Sequence, residues 1–489
     1  MRSLASRSSI PLLALILLLA IGLRMYNLSS KSLWLDEGQS YASAALPFGE
    51  MLDAVSEDSH PPLYFAVLNG SLSLFGDTEF GMRLPSVVFS VLAVLLVFPV
   101  TRLLRNSETA LVAALLTAVS IFQIRYAQEA RMYSMLACLS LLSCWLFLRL
   151  YRKQVDRVDM IAYVLATTLL LYSHVYGMFI LAAQNLYALQ IYVRQPARSP
   201  LSFWQWTGLQ ALTGLFFLPW LGILLSQIAR VQGGFWIPEV GLTALVSTFK
   251  VYAGTETALW LSVALFGVLL FSTLYSPANA AEAEDAPDVD AFSFLLIWLL
   301  TPIVLPFLLS QFLQPIYLSS HTIGASIAWY ILVACGITAL PRASLRYSML
   351  AVLVITASLA TPRFYRANTK SDWRSLTAYV DANATANDIV LFHKFTLERP
   401  FNFYTVRDDL KKRPAAPQGG HHYSGERQAD AVDVRELVRE HDRVWLVLGY
   451  TSTTAMSAEE LKSIMGEQYA LKHDQRYLRI SVLLFEKKP

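Results

Sequence analysis

Long apolar runs recur along this chain, and they limit what it can fold into more than any other feature. A membrane-crossing helix needs roughly 17–25 predominantly apolar residues. Stretches close to that length lie at about 10–28, 84–104, 109–124, 133–151, 159–173, 175–193, 208–228, 258–275, 291–313, 323–340 and 346–361. Length alone therefore predicts about eleven spans in 489 residues. Only 15% of the residues are charged, against roughly 25% in soluble proteins. The expected class is a polytopic α-helical membrane protein.

The small net charge of +3 is spread along the chain and gives no basis for a nucleic-acid partner. Cys138, Cys144 and Cys335 all fall within apolar segments and have neither zinc nor redox spacing, so they read as small buried hydrophobes. Arg2 and Arg7 precede the first apolar run as in a signal peptide. Arg24, Met25 and Tyr26 stand where small cleavage-site residues would be, so an uncleaved first span is expected.

Basic residues set the orientation. With a cytoplasmic N-terminus, inside loops hold Arg102 and Arg105; Arg149, Arg152, Lys153 and Arg157; Arg194 and Arg198; and Arg342 and Arg346. The short outside loops hold fewer, which the positive-inside rule favours. The acidic, Ala-rich stretch from Tyr275 to Asp290 reads as a flexible inside linker. Pro62 to Phe75 is apolar but short and reads as a helix lying at the interface within the first outer loop.

After Arg363 the composition becomes that of a soluble protein. Ser371–Val380 reads as helix, Asp388–Phe392 and Arg443–Leu448 as strands, and Ser457 opens a helix with a capping-box pattern before strand-like runs near Tyr477–Phe485. Arg399–Gly425 reads as a loop. The expected division is a transmembrane catalytic domain over 1–362 and an α/β domain over 363–489. An odd span count puts the α/β domain outside the cell.

On this topology the polar clusters of the membrane part share the outer face. Asp36, Glu37 and His60 lie in the first outer loop, while Arg125, Tyr126, Gln128, Glu129, Arg131 and Tyr133 lie in the second. His174 and His321 sit at later outer boundaries. An Asp-Glu pair is ordinarily a solvated loop. Here Trp34 and Leu35 pull it against the bilayer surface, where desolvation raises a carboxylate's proton affinity and suits it to act as a base. Arg125 and Glu129 are one helical turn apart and can pair structurally. Arg131 then remains as a guanidinium suited to phosphate. His60 is restrained by Pro61 and Pro62; His174 and His321 can equally cap spans.

Five pieces in order carry a resemblance: Leu33-Trp34-Leu35-Asp36-Glu37, His60-Pro61-Pro62-Leu63-Tyr64, Phe75-Gly76-Asp77-Thr78-Glu79, Arg83-Leu84-Pro85-Ser86 and Tyr126 to Tyr133. In these the chain resembles the bacterial, protein-mannosyltransferase-like members of glycosyltransferase family 39, within the GT-C superfamily. The resemblance implies a GT-C membrane fold, a polyprenyl-phosphate-linked sugar donor, inverting transfer and an active site facing away from the cytoplasm. It makes Asp36 the base and Glu129 the second catalytic acidic residue. Glu37, His60, Arg125, Tyr126, Arg131, Tyr133, His174 and His321 become the substrate-binding candidates, with Glu37 given no specific task. Where the family often has Arg-Tyr after a Pro in a late segment, this chain has Pro315-Ile316-Tyr317 and then His321. That departure leaves His321 or another cation to meet the phosphate. A divalent metal, Mg or Mn, is compatible with the superfamily, and Asp36 and Glu129 are its candidate ligands. The acceptor, whether protein, lipid or envelope glycan, is not specified. The competing reading is a transporter or flippase of lipid-linked sugars, which expects mid-span charges and internal repeats.

Overall fold

The computed structural model describes residues 2–151, 155–194, 200–232, 237, 239–275, 290–415, 431–449 and 457–489. All eleven apolar segments are helical. Helix α1 (Arg2–Met25) leads into a first loop folded as three short helices, α2 (Leu35–Ala44), α3 (Phe48–Glu57) and α4 (Leu63–Phe75). The bundle continues with α5 (Glu79–Leu104), α6 (Ser107–Val119), α7 (Ile121–Ala127), α8 (Tyr133–Leu150), α9 (Arg157–Ser173), α10 (Gly177–Arg194) and α11 (Phe203–Gln232). It closes with α12 (Thr243–Ala253), α13 (Glu256–Tyr275), α14 (Ala291–Phe312), α15 (Ile323–Thr338) and α16 (Ala343–Ser358).

Among the described residues six helices are long and apolar enough to cross a membrane, and the bent pair α6–α7 makes a seventh. The count is below the expected eleven for reasons of length and polarity. The apolar parts Ser9–Met25 and Ile323–Thr338 are short, α9 has 17 residues, and α10 carries Gln184, Asn185 and Gln190. Leu15, Leu215 and Phe271 point outward from α1, α11 and α13. Such side chains exposed on a bundle this apolar face lipid. α15 lies inside, with every residue from Ile323 to Ile337 buried. The chain is a multi-pass membrane protein.

The expected single span at 109–124 is broken. α6 and α7 meet at 57°. Ser120 is extended there, and its hydroxyl accepts from the Gln123 N–H, capping the new helix. The break turns the Arg125–Tyr133 segment across the end of the bundle. In the first loop, Pro62 is helical (φ −82°, ψ −16°). It stands at the start of α4, as proline at a helix start can.

After α16, α17 (Thr361–Arg366) leads to a C-terminal sheet domain. Its elements are α18 (Trp373–Asn383), β1 (Ile389–Phe392), α19 (Glu398–Tyr404), β2 (Lys411–Pro414), α20 (Ala431–Val438), β3 (Arg443–Gly449), α21 (Ala458–Gln468), β4 (Tyr469–Tyr477) and β5 (Ile480–Lys487). The strand order is β2-β1-β3-β5-β4. β1 runs parallel to β2 and β3, while β5 is antiparallel to β3 and β4. Alternation places Ile389, Leu391, Val444 and Leu446 on one face with Val434 and Leu461. Val390, Phe392, Trp445 and Val447 lie on the other face with Trp373, Leu376 and Phe401. The Arg399–Gly425 stretch contains α19 and β2 where a loop was expected. Its part from 416 onward, and 276–289 of the linker, lie outside the described residues.

α19 is the contact that positions the site. It packs on α2 so closely that a Cβ on Gly38 would stand 2.8 Å from the Pro400 backbone nitrogen and its ring Cδ. Neither atom can swing away. Gly38→Ala is expected to cost about 1–3 kcal/mol, read as lower thermal stability of the solubilised protein; wild-type stability would show that the two helices are not in this register.

Candidate active site

The site begins with how α2 is held. Glu37, fully buried, accepts from Arg83 through both oxygens (Nε to Oε1 2.8 Å, Nη2 to Oε2 2.9 Å). Its Oε1 also accepts from the Ala130 N–H at 2.9 Å. Oε2 accepts from Lys370 Nζ at 2.9 Å and from the Trp34 N–H at 3.3 Å. Burial pushes this carboxyl up, but Arg83 and Lys370 outweigh it and hold the group down at about 2. Arg83 spends its other donors on the carbonyls of Leu28, Lys31 and Ser32. Glu37 is thus taken up by protein donors, and its task is to lock α2, α5 and the Gln128–Arg131 turn together.

Asp36, one residue earlier, is the opposite case. Its carboxylate makes no side-chain hydrogen bond among the described residues. Burial pushes it above the usual carboxylate range, with Arg131 opposing and the charges of Asp58 and Glu37 adding to the rise. Arg131 donates to His60 Nε2 at 2.8 Å and to Ser40 Oγ at 3.3 Å. A guanidinium only donates, so His60 is the tautomer protonated at Nδ1. Burial, then Arg131, pulls His60 down to about 4, against the pull of Asp58, and the ring is neutral at neutral pH.

The fold brings the three candidate histidines together. The His60 and His174 rings lie 5.5 Å apart and the His174 and His321 rings 4.8 Å apart. Tyr133 stacks on His321 at 5.9 Å and meets Tyr126 edge-on at 4.7 Å. Residues that were weak signals singly therefore form one cluster with Arg131.

Glu129 lies in the Gln128–Arg131 turn. It pairs with the half-exposed Arg125 at 3.4 Å, and burial raises its carboxyl despite Lys370 and Arg125. A cavity of about 420 Å³ opens here, lined by Glu129, Lys31, Arg83, Arg125, Lys370 and Arg479 with Trp34 and Phe364. Five cations line it, of which Arg83 and Lys370 pair with Glu37 and Arg125 with Glu129, so positive charge exceeds negative there.

Among the described residues no group of three or more His, Cys, Asp or Glu side chains is arranged to hold a metal ion. Glu129 pairs with Arg125, whereas Asp36 makes no ion pair among the described residues. Asp36 and Glu129 therefore belong to no such group among the described residues.

Four groups at the site, Arg83, Lys370, Arg479 and Asp58, have no role assigned from the sequence. Arg83 stood in a quoted motif without a role. Lys370 and Arg479 are in the C-terminal domain, where nothing in the local sequence marks them. Asp58 is buried beside the cluster and accepts from Ser59 and Gln39.

Residues 59–223, about a third of the chain, match the family described as "Dolichyl-phosphate-mannose-protein mannosyltransferase". The match takes in four of the five motif pieces; Leu33–Glu37 lies before it. A comparison with curated protein sequences finds no match. Among solved structures, the chain resembles ArnT from Cupriavidus metallidurans in the apo state, with a TM-score of 0.67 and 13% identity over 96% of this chain and 97% of that one. It also resembles ArnT bound to undecaprenyl phosphate, with a TM-score of 0.62 and 11% identity over the same shares. The archaeal oligosaccharyltransferase AglB from Archaeoglobus fulgidus, in complex with an inhibitory peptide and a dolichol-phosphate, gives a TM-score of 0.56 and 11% identity over 90% of this chain and 69% of that one. The chain has the fold of the GT-C membrane glycosyltransferases, with a small C-terminal sheet domain.

Proposed function

We propose that the protein is an integral-membrane glycosyltransferase that moves a sugar from a polyprenyl-phosphate carrier to an acceptor hydroxyl on the extracytoplasmic face, with inversion. The observation that carries this reading is the contrast between Asp36 and Glu37. The first is left free to act on a substrate; the second is consumed in fixing the first in place. The cationic cavity lined by Arg83 and Lys370, the partners of Glu37, supports an anionic donor, as do the lipid phosphates in the ArnT and AglB structures.

The reaction follows from these groups. The acceptor oxygen attacks the anomeric carbon on the face opposite the phosphate, and its proton passes to the Asp36 carboxylate. The bond from the anomeric carbon to the phosphate oxygen breaks, and the electron pair leaves with the polyprenyl phosphate. A phosphate leaving group needs no general acid, so one base suffices. Arg125 and Lys31 at the cavity hold the phosphate, and Arg131 beside Asp36 meets charge developing near the sugar. The histidine–tyrosine cluster offers neutral donors and ring faces to sugar hydroxyls. A transport pathway would place ionisable groups at mid-span; these lie at helix ends and in loops.

The test is transfer by the full chain in proteoliposomes from labelled undecaprenyl-phosphate sugars, with NMR of the product. Lipid-dependent transfer with inverted anomeric configuration is expected. Retained configuration, or flipping of the donor across the bilayer without transfer, would contradict the proposal.

A further inference from the structure

The C-terminal domain reaches the cavity at two points that the reaction above does not use. Lys370 lies on the segment leading into α18, and Arg479 lies in the turn between β4 and β5; both line the cavity beside Glu129. Arg479 holds φ at 64°, a left-handed conformation that side-chain-bearing residues seldom adopt.

Lys370 makes the more telling contacts. Its Nζ donates to Glu37 Oε2 at 2.9 Å and to the Gln128 carbonyl at 3.3 Å. Glu37 follows Asp36 on α2, and Gln128 precedes Glu129. One ammonium thus touches the residue next to each candidate carboxylate. The Lys370 side chain is 12% exposed, so the tie is largely shielded from water. Its surroundings are set by Arg83 from α5, Glu129 from the second loop, and Lys31 and Arg125 around the cavity.

We propose that Lys370 is a positioning residue that fixes α2, which carries Asp36, against the turn that carries Glu129, making the C-terminal domain a working part of the site. The tie itself is independent of the transferase reading; its effect on rate rests on that reading. Burial pulls the Lys370 ammonium down to about 8, with Glu37 and Glu129 opposing and Arg83 assisting. The ammonium is charged below that pH and neutral above it, so the tie weakens in mildly alkaline solution.

The experiment compares wild type, Lys370→Met and Lys370→Arg as full chains in lipid nanodiscs. Hydrogen exchange of the Gln128–Tyr133 segment reads the tie without any ligand. At pH 7 exchange is expected to be faster in Lys370→Met and close to wild type in Lys370→Arg. Transfer from the undecaprenyl-phosphate sugar reads the consequence. A kcat loss of roughly 10–100-fold in Lys370→Met, with KM moved less, is expected. Wild type should lose rate above pH about 8, and Lys370→Arg should carry its rate to higher pH. Exchange in Lys370→Met equal to wild type would overturn the proposal, as would an alkaline limb that Lys370→Arg does not shift. Absence of transfer in wild type would refute the transferase reading alone, and the exchange result would still decide the tie.

Discussion

Replacing Glu37 with Ala is expected to destabilise the protein by about 3–5 kcal/mol, because it strands two buried cations. Arg83, 1% exposed, and Lys370 lose their shared carboxylate, and the Ala130 amide loses its acceptor. Moving a carboxyl from its ordinary 4.5 to about 2 corresponds to about 3 kcal/mol at 1.36 kcal/mol per pH unit. The sign follows from the lowered value. The stabilisation is fully present above pH 4.5 and is lost as pH falls toward 2. Thermal unfolding of the solubilised protein against pH checks both statements. The gap between wild type and Glu37→Gln should be widest near neutrality and should shrink through that acid window. A gap that does not depend on pH would mean that Glu37 is not the ionised centre of this network.

Asp36→Asn is expected to lower the transfer rate by roughly 10²–10⁴-fold, the range that general-base catalysis supplies. Stability should change little, because the Asp36 side chain anchors nothing among the described residues and the helix is held by Glu37 and Gly38 instead. In wild type the rate should rise as Asp36 loses its proton, at a pH above the ordinary value of 3.8, since burial raises that group. The limb should vanish with the residue. Near-normal transfer by a folded Asp36→Asn protein would remove Asp36 from the chemistry.

The two neighbouring carboxylates also show where sequence reading stopped. The Trp-Leu-Asp-Glu stretch was visible as a site because carboxylates against an apolar surface are costly. The division of labour within it was not. Glu37's partners lie 46 residues away at Arg83, 93 away at Ala130 and 333 away at Lys370, and no local pattern encodes such separations. The helices were legible from apolar run length, and most of the central sheet from β-rich runs such as Ile389–Phe392. β4, polar and mostly exposed along Lys472–Arg476, lacks that signal. The break at Ser120 was hidden for another reason: apolar residues continue on both sides, and one capping hydroxyl makes the turn. His60, His174 and His321 share the outer face in the sequence reading, but only packing places their rings within 4.8–5.5 Å of a neighbour.

The most direct test is a structure of the full chain with undecaprenyl phosphate bound. We predict its phosphate in the cavity of about 420 Å³, in hydrogen-bond contact with Arg125 or Lys31. A phosphate bound outside that cavity would contradict the account.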